Sequence, residues 1–258
     1  MYPSRVLRKL RAGKPAFCTK TNLADPRVVE IMGMTGYDCA WLCMEHVPGD
    51  WLTIESQIRA AKVYGMDSLV RIAKGSYSDY IRPFEADATG IMVPHLMSAD
   101  EARDIVRMTK FHPLGRRPVD GGNIDGGYCT TPFTDYIAQA NQERFVICQI
   151  EDPEPMDQLD EIAAIEGIDM LFFGPGDYSH AIGHPGDCDH PDVVAARKAV
   201  AAACQKHGRF AGTVAGVSTV PALLEEGYQF LNVGADVLHL TKAWQADFEA
   251  LRPYGIGD

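Results

Sequence analysis

Two acidic residues in the second half of the chain have the type and placement to share a divalent cation: Glu151, after FVICQI, and Asp177, in MLFFGPGD. Each follows a short apolar run of strand length. Two carboxylates with few other ligands suit a hard ion such as Mg2+ or Mn2+, which takes oxygen donors and keeps positions open for water or substrate. The structural alternative is an arginine partner for Glu151 and a turn-capping role for Asp177. Other polar residues stand at comparable places: Glu45-His46 after CAWLCM, Arg71 closing SLVR, His95 after GIMVP and Lys20 after AFCT. A histidine there can carry a proton near neutral pH, or serve as a satisfied structural residue. An arginine ending an apolar strand needs an anion, from substrate or from protein. The glycines of Gly174-Pro175-Gly176-Asp177 would let a carboxylate or phosphate approach backbone amides, or make a tight turn with no ligand.

The elements that must position these groups alternate strictly. Apolar runs at Ala16–Thr19, Cys39–Met44, Ser68–Arg71, Ile91–Pro94, Phe145–Ile150, Met170–Phe173, Arg209–Thr213 and Gln229–Val233 read as strands buried on both faces. Between and after them, Pro26–Met34, Thr53–Tyr64, Ser78–Ala86, Ser98–Thr109, Met156–Ile165, Asp192–His207, Ser218–Glu226 and Asp236–Leu251 carry helical periodicity, with a capping box at Ser98 and Glu101. Eight such pairs predict one α/β domain over residues 1–258, a (β/α)8 TIM barrel. An open doubly wound sheet is the other arrangement, but no GxGxxG turn follows the first strand. In a barrel the active site lies where strands end, so the residues above converge on one mouth. The Gly-rich stretch from Phe111 to Pro132 predicts an active-site lid. His180, His184 and His190 fit no zinc spacing and read as loop.

Composition narrows the function classes. With 258 residues, 46% of them hydrophobic, the chain can bury a large core, and its formal charge of −11 argues against nucleic acid or an anionic membrane as partner. No run approaches the roughly 18 apolar residues of a membrane span, and the start lacks the apolar segment of a signal peptide. Seven scattered cysteines with no CxxC pair predict a reduced, cytoplasmic protein.

The segments VVEIMGMTGYDCAWLCMEH, GIMVPHLMSADEARDIV, VICQIEDPEPMDQLDEIAAIEGIDMLFFGPGDYS and FLNVGAD resemble, in order and spacing, the metal-dependent (class II) 2-dehydro-3-deoxyglucarate and 4-hydroxy-2-oxoheptanedioate aldolases. The resemblance spans about Pro26 to Asp236. It implies a lyase that reversibly cleaves a 4-hydroxy-2-oxo acid to pyruvate, or a related 2-oxo acid, and an aldehyde, through a metal-stabilised enolate. It implies Glu151 and Asp177 as ligands of Mg2+ or Mn2+, with Co2+ a further option. Arg71 would contact the oxo acid, His46 would be the acid/base, and Gln149 with the amides of Gly176 and Asp177 would lie at the substrate. It also implies a homohexamer, a trimer of dimers, with the last helix exchanged between subunits.

The chain departs from that pattern at several points. Cys43 and Met44 stand where the family has Asp-Gly before Glu-His, and Lys20 replaces a tryptophan. RRPVDGG follows Gly115 in place of the common IRG pattern. Glu85 takes the place of the aspartate that supports the histidine, on a helix end away from its own barrel mouth, so help for His46 would come across a subunit interface. These changes fall on the aldehyde half of the pocket, where Lys20 hints at an anionic aldehyde. Three other readings follow: a Schiff-base aldolase using Lys20, a lyase of a hydroxyacyl-CoA thioester, and a non-catalytic 2-oxo acid binding barrel. Against the first, Lys20 sits between Thr19 and Thr21 at what reads as an exposed mouth, not in the apolar setting that lowers a lysine pKa.

Overall fold

The computed structural model describes residues 1–255. Eight parallel strands close into a barrel in sequence order: β1 (Ala16–Lys20), β2 (Cys39–Cys43), β3 (Asp67–Arg71), β4 (Gly90–Val93), β5 (Phe145–Ile150), β6 (Met170–Phe173), β7 (Phe210–Ala215) and β8 (Tyr228–Ala235). The helices are α1 (Arg5–Arg11), α2 (Pro26–Thr35), α3 (Trp51–Val63), α4 (Tyr77–Glu85), α5 (Ala99–Thr109), α6 (Phe133–Glu143), α7 (Leu159–Ala164), α8 (Pro175–Ala181), α9 (Pro191–His207), α10 (Val220–Glu225) and α11 (Asp236–Leu251). The predicted TIM-barrel architecture is the observed one. No helix among the described residues is long and apolar enough to cross a membrane.

Side chains alternate across each strand, and that period of two explains the mouth. Outward residues such as Ala40, Leu42, Val146, Cys148 and Ile150 join the helices in one core. Inward residues, among them Cys18, Trp41, Leu69, Ile147 and Phe172, fill the barrel itself, and α1 closes its floor with Val6, Leu7 and Leu10. Trp41 meets Phe172 edge to face with centroids 5.4 Å apart. Above this apolar layer the same inward column turns polar. Lys20 follows Cys18, Cys43 follows Trp41, Arg71 follows Leu69, and Gln149 then Glu151 follow Ile147. Each strand thus supports its reactive end on a packed stem.

Three helices lie outside the sequence reading. Helix α1 is held by Ser4, whose hydroxyl accepts from the Leu7 amide, and by Asp67, whose carboxylate accepts from the Arg5 and Val6 amides. Helix α6 buries only Tyr136 and Ala140, too narrow a stripe to read as periodic. Helix α8 begins at Pro175, so Gly174–Asp177 is a helix start and not an isolated turn.

The lid expected over residues 111–132 is not found. The segment leaves α5 at the end where strands begin and packs on the barrel's side. Arg117 is buried, pairs with Asp125 at 2.8 Å and lies over the rings of Phe111 and Phe84. The Tyr136 hydroxyl donates to the same Asp125 carboxylate at 2.7 Å. A buried ion pair with two ring contacts fixes this stretch against α4 and α6, far from its own mouth.

Helix α11 leaves the barrel. Only Asp236 of it is buried, and every residue from Thr241 to Ala250 is exposed, Trp244 and Phe248 included.

Candidate active site

Glu151 is fully buried at the top of β5. Oε1 accepts the His95 amide at 2.9 Å and Oε2 accepts from the Gln149 side chain. Burial is the main cause that pushes its carboxyl up to about 7; Asp177 adds repulsion, while the His95 amide and ring and Arg71 pull the other way. This carboxylate therefore lacks a sufficient counter-charge. Asp177, in the first turn of α8, is exposed at the rim of the same mouth. Gly174 makes room between them: a Cβ there would lie 2.8 Å from Glu151 Oε2 and 3.1 Å from Gln149 Nε2.

The donor set suits a hard divalent cation. It consists of oxygen atoms, and Gln149 Oε1 is buried without a hydrogen-bond partner among the described residues. Among the described residues no three His, Cys, Asp or Glu side chains are grouped for a metal. The protein would supply few ligands, leaving the remainder to water and substrate, as Mg2+ and Mn2+ favour.

Opposite charge gathers on β2 and β3. Arg71 is buried, with Nε 3.0 Å from Glu45 Oε2, close in charge but without hydrogen-bond alignment. Its Nη2 donates to the Cys43 sulfur at 3.3 Å, and the His46 amide donates to that sulfur at 3.4 Å. The Cys43 sulfur therefore joins Arg71 to the backbone before His46. Glu45 also lies 3.4 Å from His46 Nε2 and 3.5 Å from His95 Nε2. His46 is largely exposed and lines the mouth cavity of about 640 Å3, with Lys20, Arg71, Gln149, Gly176 and Asp177.

Two residues that follow strands in the sequence have roles that the sequence left unassigned. Glu45 links Arg71 to both histidines. His95 contacts Glu151 through its amide, and its Nδ1 lies 2.8 Å from Asp152 Oδ2. Its backbone is left-handed, at φ 48°, an uncommon conformation for a non-glycine residue. Burial opposes protonation of His95, but the bond to Asp152 and the charges of Glu151, Asp152 and Glu45 outweigh it and raise its pKa.

Lys20 departs from expectation. It is half-buried and lines the cavity, and burial first, then Arg71, lowers its pKa. Glu85 is not in the mouth. It ends α4 beside a separate cavity lined by Trp51, Arg82 and Tyr128, and burial raises its pKa. His184 and His190 stack at 3.7 Å in the turns before α9 and belong to no metal grouping among the described residues.

The Glu151 shift predicts a pH effect. In cation-free protein the folded state keeps this proton up to about pH 7, while the unfolded chain releases it near the ordinary glutamate value of 4.5. Folding then binds more protons than unfolding, so this group costs stability as pH rises from 4.5 to 7. A bound cation removes that cost. The Tm gain from Mn2+ in differential scanning fluorimetry should be several degrees larger at pH 8 than at pH 5, on the order of 5 °C. An equal gain at both values would contradict a cation on Glu151.

Comparison with known proteins gives this mouth its class: the protein is an enzyme, and a lyase. The chain belongs to the HpcH/HpaI aldolase/citrate lyase family, whose pattern matches residues 21–243. It is 32% identical to a 5-keto-4-deoxy-D-glucarate aldolase of Klebsiella pneumoniae subsp. pneumoniae over 92% of both chains. The crystal structure of an HpcH/HpaI aldolase from Desulfitobacterium hafniense superposes with a TM-score of 0.90 at 29% identity, over 96% of each chain. The citrate synthase SbnG superposes at 0.88 with 25% identity, covering 96% of this chain and 97% of that one.

Proposed function

We propose that the enzyme reversibly cleaves a 4-hydroxy-2-oxo acid into pyruvate, or a related 2-oxo acid, and an aldehyde, with Mg2+, Mn2+ or Co2+ held by Glu151 and Asp177. The observation that carries this reading is the fully buried Glu151 carboxylate without sufficient counter-charge, beside the cavity that Arg71 and His46 line. A cation there would supply Lewis acidity to the 2-oxo group, offsetting the charge that grows on that oxygen as the C3–C4 bond breaks.

The chain's own groups do the rest. Arg71, held by Glu45, adds positive charge at the oxo acid. The amides of Gly176 and Asp177, early in α8 and free of helical partners, donate hydrogen bonds to the substrate carboxylate. Gln149 steadies Glu151 and borders the same space. His46, with its Nε2 3.4 Å from Glu45, takes the proton of the 4-hydroxyl during cleavage and returns it in condensation. Glu85 lines a separate cavity and His46 the mouth, so support from Glu85 for that histidine would come across a subunit contact.

The test is release of pyruvate from 4-hydroxy-2-oxo acids, read through lactate dehydrogenase. Activity should vanish with EDTA and return with Mn2+ or Mg2+. Full activity in EDTA sinks the reading.

The assembly we propose is a homohexamer, a trimer of dimers, in which α11 covers a neighbouring barrel. Helix α11 exposes Leu238, Trp244, Phe248 and Leu251, and apolar clefts of about 340 and 370 Å3 lie open beside α2 and the β8–β1 seam. Trp244→Glu should lower the sedimenting mass to dimers or monomers; an unchanged mass contradicts helix exchange.

A further inference from the structure

We propose that Lys20 binds a terminal anionic group on the second carbonyl substrate and so selects which compound is joined to, or released from, the 2-oxo acid. This rests on the lyase reading above and names its substrate class: a short aldehyde or ketone with a carboxylate or phosphate remote from the reacting carbonyl.

The first observation is an unspent charge. Lys9, Lys62, Lys74, Lys110 and Lys206 each pair with a carboxylate, and Lys14, Lys198 and Lys242 are exposed. Lys20 is half-buried, yet among the described residues no carboxylate lies within ion-pair distance of it. The two carboxylates near enough to influence it are committed elsewhere. Glu45 serves Arg71 and both histidines, and Asp236 accepts the Asn22 and Leu23 amides at 2.8 and 2.9 Å. A half-buried ammonium without a counter-ion costs free energy that an anionic ligand would recover.

The second observation is the set of polar atoms around it. Among the described residues, Trp41 Nε1 has no acceptor and Asn232 Oδ1 has no donor, although the two side chains belong to residues only 4% and 6% exposed. Both residues line the cavity that Lys20 lines. Lys20 Nζ and the Arg71 guanidinium lie 5.9 and 4.9 Å from the Trp41 ring. An indole N–H, an ammonium and an amide oxygen on one wall suit an anionic group that also carries a hydroxyl or oxo oxygen.

The third observation is topological. In the closed order β1 to β8, the strand bearing Lys20 stands opposite β5, which carries Gln149 and Glu151. A 2-oxo acid bound between Glu151 and Asp177 leaves the β1–β8 side of the cavity to its reaction partner. The far end of that partner reaches Lys20. Phosphate and carboxylate share this chemistry, and the substrate series below separates them.

The test compares Lys20→Met, Lys20→Arg and wild type in condensation of pyruvate with equal-length aldehydes ending in carboxylate, phosphate or methyl. In Lys20→Met the ratio of kcat/KM for the anionic over the neutral aldehyde should fall about 30-fold, chiefly through KM, as for a lost charge-assisted contact. Lys20→Arg should restore most of it. Loss with the carboxylated aldehyde alone identifies the group as carboxylate, and loss with the phosphorylated one alone as phosphate. An unchanged ratio overturns the assignment, as does pyruvate trapped on Lys20 by borohydride. Exchange of pyruvate methyl protons by wild type, followed by NMR, reads the lyase assignment separately. Its absence overturns that reading and this one together, whereas exchange with an unchanged ratio removes Lys20 alone.

Discussion

Replacing Glu151 by glutamine should lower kcat for pyruvate release by about 1000-fold or more at saturating Mn2+, while leaving the protein as stable as wild type or more so. The two effects have opposite signs because one carboxylate bears on both. Glutamine keeps the volume and can still accept the His95 amide and meet Gln149, but it carries no charge for a cation. Losing a ligand that supports several kcal/mol of charge stabilisation accounts for a loss of this size. The same change removes a buried charge whose desolvation holds its pKa at about 7, so metal-free stability at pH 8 should not fall. Activity within tenfold of wild type would show that Glu151 is not a ligand. A collapse in Tm together with activity would make it a structural residue.

Gly174→Ala should be nearly as damaging to turnover, on the order of 100-fold, with its cause in position and not in charge. The added methyl would lie 2.8 Å from Glu151 Oε2 and 2.9 Å from Glu151 Cβ. A carboxylate on a packed strand end cannot yield that distance without turning away from the site, and overpacking of this kind also costs roughly 1–3 kcal/mol of stability. Steady-state kinetics with a parallel Mn2+ titration checks it. Weaker metal binding with kcat recovered at high Mn2+ supports the steric account, and wild-type affinity with wild-type kcat refutes it.

The barrel and the ring of polar residues at its mouth were legible because both rest on the simplest rule of strands. Phe145, Ile147, Gln149 and Glu151 are two residues apart and must share a face; once the apolar ones fill the barrel, the polar ones crown it. Arg71 follows from Leu69 in the same way. What strand position could not convey is which neighbours meet above the strands. Glu45 and His95 were visible as strand-following residues, but the contacts of Glu45 with Arg71, His46 and His95 depend on how β2, β3 and β4 lie side by side. His95 further depends on a left-handed backbone that no propensity indicates for histidine. Lys20 read as exposed because its threonine neighbours are polar, whereas both are buried and the alternation that turns Cys18 into the barrel turns the lysine inward as well. The segment from 111 to 132 read as a lid on its glycines, while Arg117 and Asp125 pin it to the wall.

Helix α11 carries a consequence for how the enzyme matures. A chain newly made can complete the eight-stranded barrel by itself, since every strand pairing lies within one chain. It cannot bury Trp244 and Phe248 on that barrel while α11 points outward. If a second copy receives the helix, the last step of refolding is second order in protein. Its half-time then doubles with each halving of concentration, and the apolar seam beside β8 and β1 stays open to other sticky surfaces for as long as partners are scarce.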